Sequence, residues 1–158
     1  MKNPAFNNKS AARSFAFKFI YKLFLKDFKV ELDAYQSDVE NLMADIQVFE
    51  ESYIKEDEEH VDNELNPSVQ NFGTKLIKGA ITNFSQIKEA ASACILKRSF
   101  DSVDPIERAV ICLAVYELKF EETPNTVVLN EYINLVKSYG KEESKNFVNG
   151  VLDKVSKS

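Results

Sequence analysis

Thr123–Lys154 reads TPNTVVLNEYINLVKSYGKEESKNFVNGVLDK, two amphipathic helix patterns hinged at Gly140. Leu129, Ile133 and Val136 recur at helical spacing before the glycine, and Phe147, Val148, Val151 and Leu152 do so after it. Such stripes line one face of each helix and require a core to cover them. Gly140 stands where a helix closes on a left-handed residue, and Glu142 and Glu143 suit the first turn of the next helix. The polar residues Asn130, Glu131, Asn146 and Asn149 lie among these apolar positions, and a function would show there.

Outward from this pair, the rest of the chain repeats the same period. Ser10 to Lys26 forms a stripe of Ala12, Phe15, Ala16, Phe19, Ile20 and Leu23, with Ser10 placed to cap it. Phe17, Tyr21 and Phe24 flank that stripe and fit either a core or a partner-facing ridge. A second helix is predicted from Leu32 to Tyr53, a third from Pro67 to Asn83, and a fourth from Ser85 to Lys97–Arg98. Asp104-Pro105-Ile106-Glu107 is the sharpest local signal. Asp104 can cap, Pro105 fits the first helical position, and Glu107 can reach back to complete a capping box. The fifth helix behind it is apolar on most sides, which predicts a central, buried element. No segment alternates as a strand would, so the expectation is an all-α fold of about seven helices.

The 158 residues fit one domain with its own core. No run of about eighteen apolar residues occurs, and the N-terminus lacks the pattern of a secretory leader. The expected setting is therefore soluble and cytoplasmic. Cys94 and Cys112 form no close pair and read as reduced, buried thiols rather than a disulfide or reactive site. The net charge of −5 argues against bulk affinity for nucleic acid but leaves room for a local basic patch. Cations gather at the N-terminus, with Lys2, Lys9, Arg13, Lys18, Lys22 and Lys26 preceding Asp27, while acids gather between Glu50 and Glu64. That acidic stretch fits a solvated helix end and loop or an acidic docking segment.

Catalytic motifs fail one after another. There is no phosphate-binding GxxxxGK[ST] loop, no GxGxxG fingerprint and no GxSxG elbow. The lone histidine, His60, sits in the acidic stretch with no cysteine nearby, which gives no zinc site. Glu117 and Glu131 lie beside apolar runs and fit structural hydrogen bonds better than a carboxylate pair. A module that reads RNA with cations and an aromatic ring survives this elimination.

The closing stretch resembles the NusB family through Pro124, Leu129-Asn130-Glu131, Lys137-Ser138-Tyr139-Gly140, Glu142-Glu143-Ser144 and Phe147-Val148-Asn149-Gly150-Val151-Leu152-Asp153. Arg13, Ala16 and Ile20-Tyr21 agree at the family's spacing, as do Phe72 to Asn83 (FGTKLIKGAITN), Ile106-Glu107-Arg108-Ala109, Ala114 and Tyr116-Glu117-Leu118. The resemblance covers nearly all of the chain except about residues 47–66, which look like an acidic insertion. It implies a NusB-like bundle of two perpendicular helical subdomains spanning 1–158, with no catalysis, cofactor, metal, membrane contact or small-molecule substrate. It further implies binding to boxA RNA of nascent ribosomal RNA transcripts together with ribosomal protein NusE, within an antitermination complex of RNA polymerase. Carried over by residue, the RNA side is Lys9, Arg13, Arg98, Glu143, Ser144, Lys145 and Phe147. The NusE side is Tyr21 and Glu107, the latter also read as a cap. Asn130, Glu131 and Asn149 then read as structural hydrogen-bonders.

Where relatives carry an arginine-rich run before the first helix, this chain has Asn7-Asn8-Lys9-Ser10-Ala11-Ala12-Arg13. Fewer cations release fewer counterions, so the expected RNA binding is weaker and less salt-sensitive. Two other readings stay open. One is a NusB-type module that recognises ribosomal RNA for processing or methylation by a separate catalytic partner. The other is a protein-interaction module that has lost RNA binding.

Overall fold

The computed structural model describes residues 7–56 and 65–158, and these contain eight α-helices, one 3-10 turn and no strand. The predicted all-α class therefore holds. The chain divides into two compact units, Met1–Ile81 and Thr82–Ser158.

The first unit is organised on α1 (Asn8–Phe24), beside α2 (Phe28–Ser37), α3 (Val39–Glu56) and α4 (Pro67–Thr82). All six predicted stripe residues of α1 are buried, and so are Phe17 and Phe24, which settles those two as core. Phe15 packs against Phe49 and Tyr53 of α3 at ring separations of 5.4 and 5.1 Å, and Phe19 against Phe49 at 5.5 Å. Each buried ring of this size contributes about 1.5–3 kcal/mol of transfer free energy. On α4, Gly73 lets the helix close on α1: a Cβ there would lie 2.7 Å from Phe15 Cδ1. Asn66 caps α4, its Oδ1 accepting from the Val69 N–H at 3.0 Å.

Two local expectations are corrected here. The cap of α1 is Asn7, whose side chain accepts from the Ser10 N–H at 3.0 Å; Ser10 itself is buried inside the helix. The predicted second helix is two helices, because Asp38 adopts extended backbone (φ −146°, ψ 96°). Its Oδ1 accepts from the Glu40 and Asn41 N–H groups at 3.1 and 3.4 Å, starting α3 afresh. An aspartate offers this alternative to helical continuation, and hydrophobic period alone does not register it. Of the acidic stretch, residues 47–56 continue α3, whereas 57–64, with His60, lie outside the described residues.

The second unit holds α5 (Phe84–Ala93), the turn Phe100–Ser102, α6 (Pro105–Phe120), α7 (Asn125–Tyr139) and α8 (Glu142–Lys157). As predicted, α6 is central, with Ala109 to Glu117 buried without interruption and α5, α7 and α8 packed on it. Glu117, fully buried, accepts from Tyr132 Oη of α7 at 2.6 Å and from Thr123 Oγ1 at 3.0 Å. This is the structural hydrogen bonding expected of it, and it ties the turn before α7 to the core.

Gly140 plays a different part from the expected one. Its backbone is extended (φ −99°, ψ −178°), and no described residue has a positive φ. The glycine is needed for closeness: a Cβ would lie 2.9 Å from the Val136 carbonyl oxygen and 3.3 Å from Ser144 Cβ. The buried face of α7 is also rotated, to Val128, Tyr132, Leu135 and Val136, leaving Leu129 and Ile133 half-buried. On α8, Val148, Val151 and Leu152 are buried as expected, while Phe147 is half-buried at the edge of the stripe. Asn130 and Asn149 are exposed, and Glu131 is half-buried.

Candidate nucleic-acid interface

The first candidate cluster is built by one helical turn of α1. Lys9 and Arg13 are four residues apart, which puts them on one face. Both lie over the Phe72 ring of α4, Lys9 Nζ at 5.7 Å from its centre and Arg13 Cζ at 5.5 Å. Their exposure separates them. Lys9 is open to solvent, whereas Arg13 is only 2% exposed. Phe72 also packs on the small core of Ala11, Ala12 and Val69, so the ring positions the cations from below. Sequence reasoning missed Phe72 as a site residue, although its motif was in view, because an isolated phenylalanine at helical spacing reads as core.

The second cluster depends on where α5 stops. The predicted helix to Arg98 ends at Ala93 instead, with Cys94 as its C-cap, so Leu96, Lys97 and Arg98 lie on a loop. Arg98 reaches from that loop to the first turns of α8, its guanidinium carbon 4.1 Å from the centre of the Phe147 ring. One guanidinium nitrogen also lies 3.9 Å from a Glu107 carboxylate oxygen. Arg98 keeps a side chain 43% exposed, so it is held but still reachable.

Glu107 is the buried end of this arrangement. Asp104 caps α6 as predicted, accepting from the Ile106 N–H at 2.9 Å, with Pro105 at the first position. Glu107 does not complete a capping box; its carboxylate faces Arg98 and Ser144. Burial raises its pKa and Asp104 adds to that, while Arg98, Lys141 and the Ser144 hydrogen bond pull it down. Arg98, Asp104, Glu107, Glu143, Ser144 and Phe147 line a polar cavity of about 400 Å³. Lys141 lines it too and was not foreseen, since a lysine after a glycine carries no distinctive pattern. Ser144 is buried, and Glu143 and Lys145 are exposed on the first turns of α8.

The structure thus brings Arg98, Glu107, Glu143, Ser144 and Phe147 together in the second unit, with Lys145 on the same helix. Lys9 and Arg13 form a pair in the first unit. Tyr21, also there, is half-buried and stacks on Phe17 at 5.8 Å with the rings 10° apart. Cys112 is buried, with burial pushing its thiol up to about 12; Cys94 is half-buried, and both are free thiols. Among the described residues, no group of three or more His, Cys, Asp or Glu could hold a metal ion, and no helix is long and apolar enough to cross a membrane.

The model of the NusB family matches residues 10–157. The transcription antitermination protein NusB of Pseudoalteromonas translucida (strain TAC 125) is 43% identical over 98 residues, 61% of this chain and 71% of that protein. The solved structure of T. maritima NusB superposes with a TM-score of 0.71 at 28% identity, covering 100% of this chain and 94% of that one. A structure of antitermination factors NusB and NusE in complex with dsRNA superposes at 0.70 with 24% identity, over 95% of this chain and 96% of that one, a likeness of fold.

Proposed function

This chain belongs to the NusB family, and from that premise we propose that it is a transcription antitermination factor that binds boxA RNA of ribosomal RNA transcripts together with NusE. The family match over almost the whole chain carries this reading. It acts without catalysis, as one RNA-binding domain in the cytoplasm, and its complex with NusE helps RNA polymerase resist termination.

The geometry of the second unit supports an RNA surface there. Arg98 and Lys145 offer cations to phosphates, Glu143 offers acceptors to base edges, and Phe147 offers a ring to an unpaired base. Within the second unit, Ser144 is buried beneath that surface; in the first unit, Lys9 offers a separate exposed cation beside the buried Arg13. Tyr21 and Glu107 are assigned to NusE; Glu107 is itself buried, with its charge balanced in part by Arg98.

The test is a titration of the protein, alone and with NusE, against boxA RNA and a scrambled control. With NusE present, boxA binds more tightly than the control. Equal affinity for the two RNAs would sink the reading. Phe147→Ala weakens boxA binding by roughly 1–3 kcal/mol, the usual worth of one stacked base.

A further inference from the structure

Gly150 lies in the interior of α8, where glycine costs stability relative to alanine. No crowding requires it. A Cβ built there meets nothing within 4 Å, unlike Gly73 and Gly140, where it would strike neighbours at 2.7 and 2.9 Å. What Gly150 does is open onto a cavity of about 400 Å³ that shares Arg98 and Phe147 with the polar cavity but differs from it in chemistry. Its walls are apolar, from Ile95, Leu96, Phe147 and Val151, and Leu96 is 78% exposed. Its polar members are Lys97, Arg98, Lys154 and Asn146, with no carboxylate among the lining residues. The neighbouring cavity contains Asp104, Glu107 and Glu143. In a chain of net charge −5, an apolar recess flanked by Lys97 and Lys154, with Arg98 shared with Glu107 and no acid in its own lining, suits an anionic ligand with a flat apolar part. An unpaired nucleotide has that chemistry.

We propose that this cavity is a subsite for single-stranded RNA: one unpaired nucleobase enters against Leu96 and Val151, Asn146 reads its edge, and Lys97 and Lys154 hold the flanking phosphates. The subsite rests on the RNA-binding reading and extends it past Phe147 along α8. Gly150 is absent of a side chain because the base occupies that space, and Asn146, a polar interruption in the helix pattern, gains a role.

The protein carries its own reporter, because Cys94 lines the cavity while Cys112 is buried with its thiol held un-ionised. With NusE and boxA RNA bound, thiol modification of Cys94 in the wild-type chain slows severalfold. Gly150→Leu, which fills the recess, weakens boxA binding about tenfold. Gly150→Ala, which puts only a methyl into the same space, weakens boxA binding by less than Gly150→Leu does and melts at a higher temperature than wild type. The double variant Lys97→Ala/Lys154→Ala lowers the slope of log affinity against log salt by about 1.4. Should Gly150→Leu fail to fold, the lysine variant and Cys94 protection decide the matter. If the wild type still prefers boxA over the scrambled RNA while Cys94 stays equally reactive and the salt slope is unchanged, the subsite is wrong and the antitermination reading stands. If the wild type shows no preference at all, that reading fails and takes the subsite with it.

Discussion

Each unit of this protein places an arginine over a phenylalanine, and the two pairs differ in how far they are open to solvent. Arg13 lies 5.5 Å from the Phe72 ring and is 2% exposed; Arg98 lies 4.1 Å from the Phe147 ring with a side chain 43% exposed. A buried guanidinium has already lost its water, and its alkyl stem is part of the packing. It is committed to the fold. The exposed one has kept much of its hydration and can turn to a phosphate without disturbing the core beneath it. The same residue pair is therefore buried in the packing in one place and open to solvent in the other, and the RNA contact proposed for Arg98 rests on that accessibility.

The largest expected effect follows directly. Arg13→Ala lowers the free energy of unfolding by roughly 2–4 kcal/mol, through lost packing and a broken buried charge environment. Arg98→Ala lowers it by less than about 1 kcal/mol, because exposed charge pairs contribute little. Urea denaturation of both variants measures this, and equal losses would break the comparison. A second, smaller effect probes the first unit from α4. Gly73→Ala puts a methyl against Phe15 and destabilises the protein by about 1–3 kcal/mol, seen as a lowered Tm.

The smallest effect sharpens the other side. Burial raises the pKa of Glu107 above its unfolded value, so its contribution is fully present below the ordinary carboxylate range. That contribution is lost as pH rises through the raised folded value. Glu107→Gln has no such titration, so its stability gains on the wild type as pH is raised from about 4 to about 7. Urea midpoints at several pH values report the trend; parallel curves would mean that Arg98 and Lys141 cancel the burial cost completely.

Some of the site was legible before any coordinates. Asp104-Pro105 named the start of α6, since capping and proline geometry act within a few residues. The helical period found six of the nine buried apolar positions of α1 and the buried course of α6. The misreadings were also local in origin. Asp38 interrupts a perfect hydrophobic period with side-chain hydrogen bonds, and Gly140 is required by the Val136 carbonyl rather than by its own backbone angles. Cys94 ends α5 four residues before the predicted Arg98, which frees the loop that carries that arginine.

The sequence by itself determined the all-helical class, the Asp104 cap of α6, the family pattern of its ends and the residue types available for an RNA surface. These depend on contacts between residues three or four apart, or on motifs read along the chain. Only the tertiary structure decided which arginine is buried, that Glu107 faces Arg98 and Ser144, and that Gly150 opens on a cationic recess free of carboxylates. Exposure and pairing depend on what the remaining helices place against a residue, and helical spacing carries no record of that.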